Sequence, residues 1–279
     1  MCIDHSDQQL DPKPRIIGGK RTGQYEPCQD RILREDIIYR HLGQHPRRLQ
    51  YFGLEQVSPG VHSIRLELAP HGCLRQYIQD SMHNMPSLPI RFQMAVDVAE
   101  GLEHVHHRGV YSADLSARNA FLFEGFRIKL GGFGGSILRD PPDRFRLDQC
   151  YEGRYTLPPK GREYDEVDIL KREIFALGCI LYEIMAWKVP FGEVDSEEAE
   201  QRYDRGCFPS LVNNPLREVI WDCWAEVFQS ADQVLSQLRN IARVALPRPY
   251  SVVLLFTAKS FCLGCIQYLV VSAGPGKPD

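Results

Sequence analysis

The chain has 279 residues, of which 43% are hydrophobic and 25% charged, and its formal net charge at pH 7 is −3. This composition is typical of a soluble globular protein with one large domain or two lobes. No basic block or basic patch interleaved with aromatic residues is present, which argues against nucleic acid as a partner.

The cysteines and the first residues indicate a compartment. Nine cysteines are scattered along the chain without a paired framework, and Asp4, Asp7 and Asp11 interrupt any apolar run that could form a signal peptide. Reduced cysteines are usual in the cytosol and nucleus. We therefore expect a cytoplasmic or nuclear protein.

The first regular element that the pattern predicts is a helix over residues 30–42, followed by Gly43 as a C-terminal stop. Its apolar residues recur at helical intervals: Ile32, Ile38, Tyr39 and Leu42. The glycines of residues 18–23 precede this helix but do not fit G-x-G-x-x-G. They are predicted to form a loop and not a phosphate cradle.

A half-buried strand and a long helix come next. Residues 63–68 alternate polar and apolar side chains and end at the turn-like sequence of residues 69–72. The predicted helix then runs from Pro89 to His107 and stops at Arg108-Gly109. One face of it is apolar: Phe92, Val96, Ala99, Leu102, and Val105 or His106.

Two short motifs follow this helix. Residues 110–119 read V-Y-S-A-D-L-S-A-R-N and residues 129–136 read K-L-G-G-F-G-G-S. Further along, residues 173–187 are apolar nearly all round, as in a helix buried at the centre of a domain. Residues 187–191, 221–224 and 229–235 complete the pattern.

In combination, the D-L-x-x-x-N motif, Phe133-Gly134 and the order of the flanking elements resemble the protein kinase family over about residues 15–241. The motifs are similar to those of divergent fungal kinase-like proteins. The resemblance implies an α+β bilobal fold with a shortened, β-rich small lobe and a larger, mainly helical lobe. It implies a partial small lobe at 1–67 and a large lobe at 68–243, with an appended apolar tail at 244–279.

The same resemblance implies roles for the loop residues. Asp114 would accept the proton of a substrate hydroxyl, Asn119 would be a Mg²⁺ ligand, and Arg118 matches the tyrosine-kinase version of the loop. Gly132 stands where the family has a metal-binding aspartate. Glu173 stands where the family has an aspartate that braces this loop.

The resemblance also implies an ATP site. Glu35 would form an ion pair with the ATP-binding lysine, for which Lys13 and Lys20 are the candidates. Residues from Glu67 to Ala69 would form the hinge that contacts adenine.

The sequence is compatible with two functions. The first is a protein kinase domain that is catalytically impaired or a pseudokinase, since magnesium prefers carboxylate oxygens and glycine offers none. The alternative is an active serine/threonine or tyrosine kinase with atypical metal binding. Either would take a protein substrate or binding partner, and phosphotransfer to a small molecule is a weaker third candidate.

The activation segment, which follows Gly134, and the catalytic loop that it contacts each depart from the family once. Leu157-Pro158-Pro159 replaces Ala-Pro-Glu, so the anchoring glutamate is missing, and Ala113 replaces the arginine that binds a segment phosphate. Tyr151, Tyr155 and Thr156 could be phosphorylated, but surface hydroxyls in a loop are more often unmodified.

Three minor signals complete the picture. Residues 251–273 are apolar and approach the length of a membrane span, but Lys259 interrupts them. An appended segment is therefore favoured over a tail anchor. His104, His106 and His107 lack further ligands at a suitable spacing for zinc, and Cys262 and Cys265 form a lone C-x-x-C that supports neither a zinc ribbon nor a redox site.

Overall fold

The computed structural model describes residues 25–139, 152–162 and 166–245, without the side chains of residues 25–30 and 245. The first elements are helix α1 (Tyr25–Leu42) and an antiparallel hairpin of β1 (Tyr51–Ser58) and β2 (Val61–Leu66). Leu54 lies opposite Ile64 in the hairpin. Its turn uses Gly60 at φ +75°, a left-handed conformation that glycine adopts readily.

The remaining elements are mainly helical. The helices are α2 (Leu74–Asp80), α3 (Leu88–His107), α4 (Ile169–Ala186), α5 (Ser196–Asp204), α6 (Arg217–Trp224) and α7 (Ala231–Ala245). The short strands are β3 (Val110–Tyr111), β4 (Ala120–Phe123), β5 (Arg127–Leu130) and β6 (Ile137–Leu138). Strand β3 pairs with β6 and β4 pairs with β5, both antiparallel.

Helix α4 lies at the centre of the core. Every residue from 173 to 185 is buried, which confirms the prediction of a helix that is apolar nearly all round. The Asp168 carboxylate caps its N-terminus by accepting the N–H of Leu170 at 2.9 Å. Helix α3 packs against α4, α7 and β5, and its predicted apolar face is buried or packs against the core.

The elements differ from the sequence predictions at their ends. Helix α1 begins at Tyr25 and not at residue 30, and β2 covers residues 61–66 and not 63–68. Residues 67 and 68 lie beyond the end of β2, although the Glu67 N–H still donates to the Gln50 carbonyl at 2.9 Å. The mixture of helices with few short strands confirms the α+β class, with its strand-containing small lobe and helical large lobe.

Some predictions concern residues outside the described ranges. These are Lys13, Lys20, Tyr151, Cys262, Cys265 and the apolar stretch 251–273. Helix α7 reaches Ala245, so the predicted start of the tail at 244 overlaps its last turn, and the domain boundaries stay predictions. No helix in the described ranges is long and apolar enough to cross a membrane.

Candidate functional site

The site is built around the loop that connects β3 to β4 and carries Asp114. Ala113 in this loop has φ +59°, which is unusual for a residue with a side chain. Its N–H donates to Oε1 of Glu173 at 2.7 Å, from the buried helix α4. The structure therefore confirms that Glu173 braces the loop, and it does so at the strained residue.

Glu173 also contacts the end of α3. Its Oε2 lies 2.5 Å from Nε2 of buried His106. His104 Nε2 lies 3.1 Å from the carbonyl of Leu42, and His107 forms an ion pair with Asp232 at 3.0 Å. The three histidines thus have three separate partners, and they do not converge on one point.

Asp114 and Asn119 contact each other directly. The Asn119 Nδ2 atom donates to the Asp114 carbonyl at 2.7 Å and to its carboxylate Oδ2 at 3.1 Å. Burial raises the pKa of Asp114 to about 6, and the Asn119 hydrogen bond opposes that shift. A carboxylate with raised proton affinity is suited to accept a proton near neutral pH.

Gly132 leaves no space for the missing aspartate. It has φ +72°, and a Cβ atom placed on it would stand 2.7 Å from Cγ of Asn119. The Asn119 amide thus fills the volume where a side chain at position 132 would start. One amide oxygen beside Asp114 does not fit the carboxylate-rich oxygen set that magnesium prefers.

An aromatic column links this region to α1 and the hairpin. Phe133 is buried and packs edge-on against Tyr39, with ring centroids 5.2 Å apart. Tyr39 in turn stacks on Tyr51 at 5.4 Å. This column fixes the chain after Gly132 against α1.

Glu35 of α1 reaches the same segment. Its Oε1 accepts the N–H of Phe133 at 3.0 Å. Burial raises the pKa of Glu35 to about 7, and this hydrogen bond opposes the rise. Among the residues of the described ranges, no lysine or arginine forms an ion pair with Glu35. Its predicted pairing with Lys13 or Lys20 stays a prediction.

The predicted hinge has two distinct parts. The Glu67 side chain turns away to Lys129, whose Nζ lies 2.7 and 2.8 Å from the two carboxylate oxygens, and to the N–H of Gln50. The Glu67 carbonyl and the Ala69 N–H, in contrast, have no hydrogen-bond partner within the described part of the chain. A carbonyl and an N–H at this spacing form a free acceptor and donor pair.

The structure corrects the expectation that Tyr155 and Thr156 are surface hydroxyls. Both side chains are buried. The Tyr155 hydroxyl donates to Glu183 and accepts from Arg75 Nη2 at 2.8 Å and from the N–H of Ala117 at 3.3 Å. It is a structural group that links the segment to α2, α4 and the Asp114 loop.

An ion pair anchors the segment although the family's glutamate is absent. Arg162 Nη1 and Lys160 Nζ lie 2.9 and 3.1 Å from the carboxylate of Glu226, between α6 and α7. Burial raises the pKa of Glu226, but hydrogen bonds from Arg162 and Lys160 outweigh it and leave the pKa lowered. The segment here carries the cations and the helical region carries the anion. Sequence reasoning missed Glu226, since no local motif marks it.

A family model described as protein tyrosine and serine/threonine kinase matches residues 20–231. The chain belongs to the protein kinase family. The match runs from before α1 to the first residue of α7 and so contains Glu35, the Glu67–Ala69 hinge, Asp114, Asn119 and Gly132. In this member of the family, Arg118 is half exposed and lies 3.2 Å from Glu152 of the activation segment.

Proposed function

We propose that this kinase-family chain is catalytically impaired and acts as a pseudokinase, an interaction module with a residual nucleotide site. One observation carries the proposal: at Gly132 the metal carboxylate is missing and Asn119 fills its place. Phosphoryl transfer relies on positioning and on neutralising phosphate charge by metal and lysine. Loss of that carboxylate therefore removes a main contribution to catalysis.

The two ends of the nucleotide site are expected to behave differently. The free Glu67 carbonyl and Ala69 N–H support binding of the adenine edge. Asp114, with its raised pKa, supports proton acceptance from a hydroxyl. The metal end offers only the Asn119 amide beside Asp114. We therefore expect ATP to bind through its base, with little help from Mg²⁺.

A second candidate is an active protein kinase with atypical metal binding. The buried Phe133, its hydrogen bond to Glu35 and the Asp114–Asn119 contact favour it, because these groups are already in mutual contact. Protein hydroxyls would be the substrates in that case. The Ala-Arg-Asn form of the loop at Arg118 favours tyrosine. The four cysteines whose side chains the structure describes, Cys73, Cys179, Cys207 and Cys223, are free, which supports a cytosolic or nuclear location.

A thermal-shift titration distinguishes the candidates. ATP and ADP are added to the full chain with and without Mg²⁺, because a ligand of the folded state raises Tm. A shift that does not depend on Mg²⁺, with no phosphate transfer to a mixed peptide substrate, is the result expected for the impaired protein.

A matched variant, Asp114→Asn, removes the base and keeps the shape of the side chain. A Mg²⁺-dependent shift together with transfer that Asp114→Asn abolishes would establish the active kinase instead. If no nucleotide shifts Tm, the proposal of a residual nucleotide site is wrong. Only the proposed role as a protein-binding module then remains.

A further inference from the structure

Glu152 of the activation segment has three arginines around one carboxylate. Arg75 of α2 lies 2.9 Å from its Oε1, Arg118 of the catalytic loop lies 3.2 Å from its Oε2, and Arg154 lies 3.8 Å from Oε1. The Glu152 side chain is only 9% exposed. A single carboxylate thus joins three separate pieces of the chain.

The charges around Glu152 do not balance. Arg75 has a second carboxylate partner in Glu183, at 2.6 and 3.1 Å. Arg154 otherwise donates to the carbonyls of Val194 and Asp195. Within the described residues, Glu152 is therefore the only carboxylate that pairs with Arg118 and Arg154. Its removal would leave Arg154 without a carboxylate at ion-pair distance, and Arg118 with only the more distant charge of Asp114.

One oxygen of the Glu152 carboxylate has no hydrogen bond from a described residue. Although Arg118 Nε lies 3.2 Å from Oε2, this oxygen is buried and accepts no hydrogen bond from a described residue. Guanidinium groups bind carboxylates and phosphates through the same charge-assisted contacts. Three guanidinium groups thus surround the space that the Glu152 carboxylate fills, and this pocket is chemically suited to a phosphate once the carboxylate is removed.

We infer that Glu152 is a positioning residue that holds residues 152–162 on the catalytic loop without any phosphoryl group. We infer also that Arg75, Arg118 and Arg154 form an anion site that accepts inorganic phosphate once the Glu152 carboxylate is removed. Ala113 leaves the usual cation position of the loop empty of charge, and Arg118, five residues further on, contacts the segment instead. The contact between residues 152–162 and the catalytic loop is thereby made by side chains that the sequence encodes, and it needs no phosphorylation.

The test uses the full chain with Glu152→Ala, Glu152→Gln and a control, Glu193→Ala. Glu193 also pairs with an arginine, Arg202 at 2.6 Å, but its side chain is 64% exposed. Tryptic cleavage after Arg154, Lys160 and Arg162 reports opening of the segment, since proteolysis follows the population of the open form. Each protein is digested and melted in sodium phosphate and in sodium chloride of the same ionic strength.

We expect Glu152→Ala to be cleaved about tenfold faster than the parent in chloride, as a loss of about 1.4 kcal/mol would give. Phosphate should restore its protection and raise its Tm, and should leave the parent and Glu193→Ala unchanged. Glu152→Gln should be cleaved faster too but should not respond to phosphate, because the amide still fills the pocket.

Two results would overturn the inference. Cleavage of Glu152→Ala at the parent rate would show that Glu152 does not position the segment. An equal phosphate effect on all proteins would show a general ionic effect and no anion site. If Glu152→Ala does not fold, faster cleavage of Glu152→Gln than of Glu193→Ala decides the positioning role. In that case the arginine pocket is tested by Glu152→Ser, whose short side chain leaves space for phosphate. No nucleotide enters these measurements, so their failure is distinct from failure of the proposed function.

Discussion

The side chain of Asn119 occupies the space directly above the Cα atom of Gly132. A Cβ atom at position 132 would lie 2.7 Å from the Asn119 Cγ atom, closer than non-bonded carbon atoms approach. Asn119 can therefore hold this position only because residue 132 has no side chain. A carboxylate cannot return to position 132 unless Asn119 leaves its hydrogen bonds to Asp114.

Gly132→Ala is expected to lower the free energy of unfolding by about 1–3 kcal/mol, because it adds overpacking to a left-handed backbone. Gly135→Ala is the matched control, since a Cβ there meets nothing within 4 Å; it should be neutral or slightly stabilising. Urea denaturation of both variants checks this. Equal effects at the two glycines would contradict the steric argument.

Gly132→Asp should share this cost, and we expect it not to gain Mg²⁺-dependent stabilisation by ATP. The double variant Gly132→Asp/Asn119→Ala, in which the amide is removed, should recover part of the lost stability. Thermal melts of the single and double variants measure both effects. A Mg²⁺-dependent rise in Tm with ATP in the single variant would show that the Asn119 side chain moves aside at little energetic cost.

Asp114→Asn is expected to stabilise the fold at neutral pH. The pKa of Asp114 is about 6 in the folded state and 3.8 without the protein environment, so the folded state binds the proton more tightly. The favourable contribution of Asp114 to the free energy of unfolding is complete below pH 3.8 and is lost as the pH rises through 6. Asparagine carries no charge and avoids this loss, so the variant should be more stable at pH 7.5 by about 1–3 kcal/mol.

Chemical denaturation at pH 7.5 and pH 4 measures the change. The gain from Asp114→Asn should shrink towards pH 4, where the parent carboxyl is protonated in the folded protein. A constant difference at the two pH values would mean that hydrogen bonding to Asn119, and not burial of charge, dominates at this residue.

The pair of Arg162 and Glu226 should contribute measurably to stability. A double-mutant cycle with Arg162→Gln and Glu226→Gln is expected to give a coupling of about 0.5–1 kcal/mol, because the pair is partly exposed and screened. The lowered pKa of Glu226 determines the direction in which the coupling energy changes with pH. The coupling should be present above the ordinary value of 4.5 and be lost as the pH falls through the lowered pKa. Zero coupling at pH 7 would exclude the pair as an anchor.

Tyr155→Phe is expected to destabilise the protein by about 1–3 kcal/mol. The substitution removes a buried hydrogen-bond acceptor of Arg75 Nη2 and of the Ala117 N–H. Burial and the nearby Glu183 raise the pKa of Tyr155 well above 10, so the hydroxyl stays protonated. Tyr111→Phe is the control, and we expect a change near zero. Similar losses of unfolding free energy for both variants would contradict this role.

Local patterns in the sequence predicted the elements well and their side-chain partners poorly. The periodicity of residues 89–107 and 173–187 identified α3 and α4, because a buried helix has apolar residues at regular intervals in the sequence. The pairings of Lys129 with Glu67 and of Arg162 with Glu226 join residues more than 60 positions apart. Such contacts depend on the packing of whole elements, which no local pattern records.

The sequence also showed a glycine at position 132, where the family resemblance places a metal-binding aspartate, but not the steric relation of this glycine to Asn119. Nothing in the letters at positions 119 and 132 shows that the asparagine amide fills the space beside the glycine. The burial of Tyr155 was hidden for the same reason, since hydroxyl residues in loops are usually exposed.

The inverted polarity of the contact at Glu226 restricts how this protein can be recombined with its relatives. A segment grafted from a kinase that carries the family's glutamate would bring two carboxylates together at Glu226, which repel each other. Grafting Lys160 and Arg162 together with Glu226 would keep the charges matched. The segment and the turn between α6 and α7 thus form one exchangeable unit, and chimeric proteins should be cut at the borders of that unit and not between its halves.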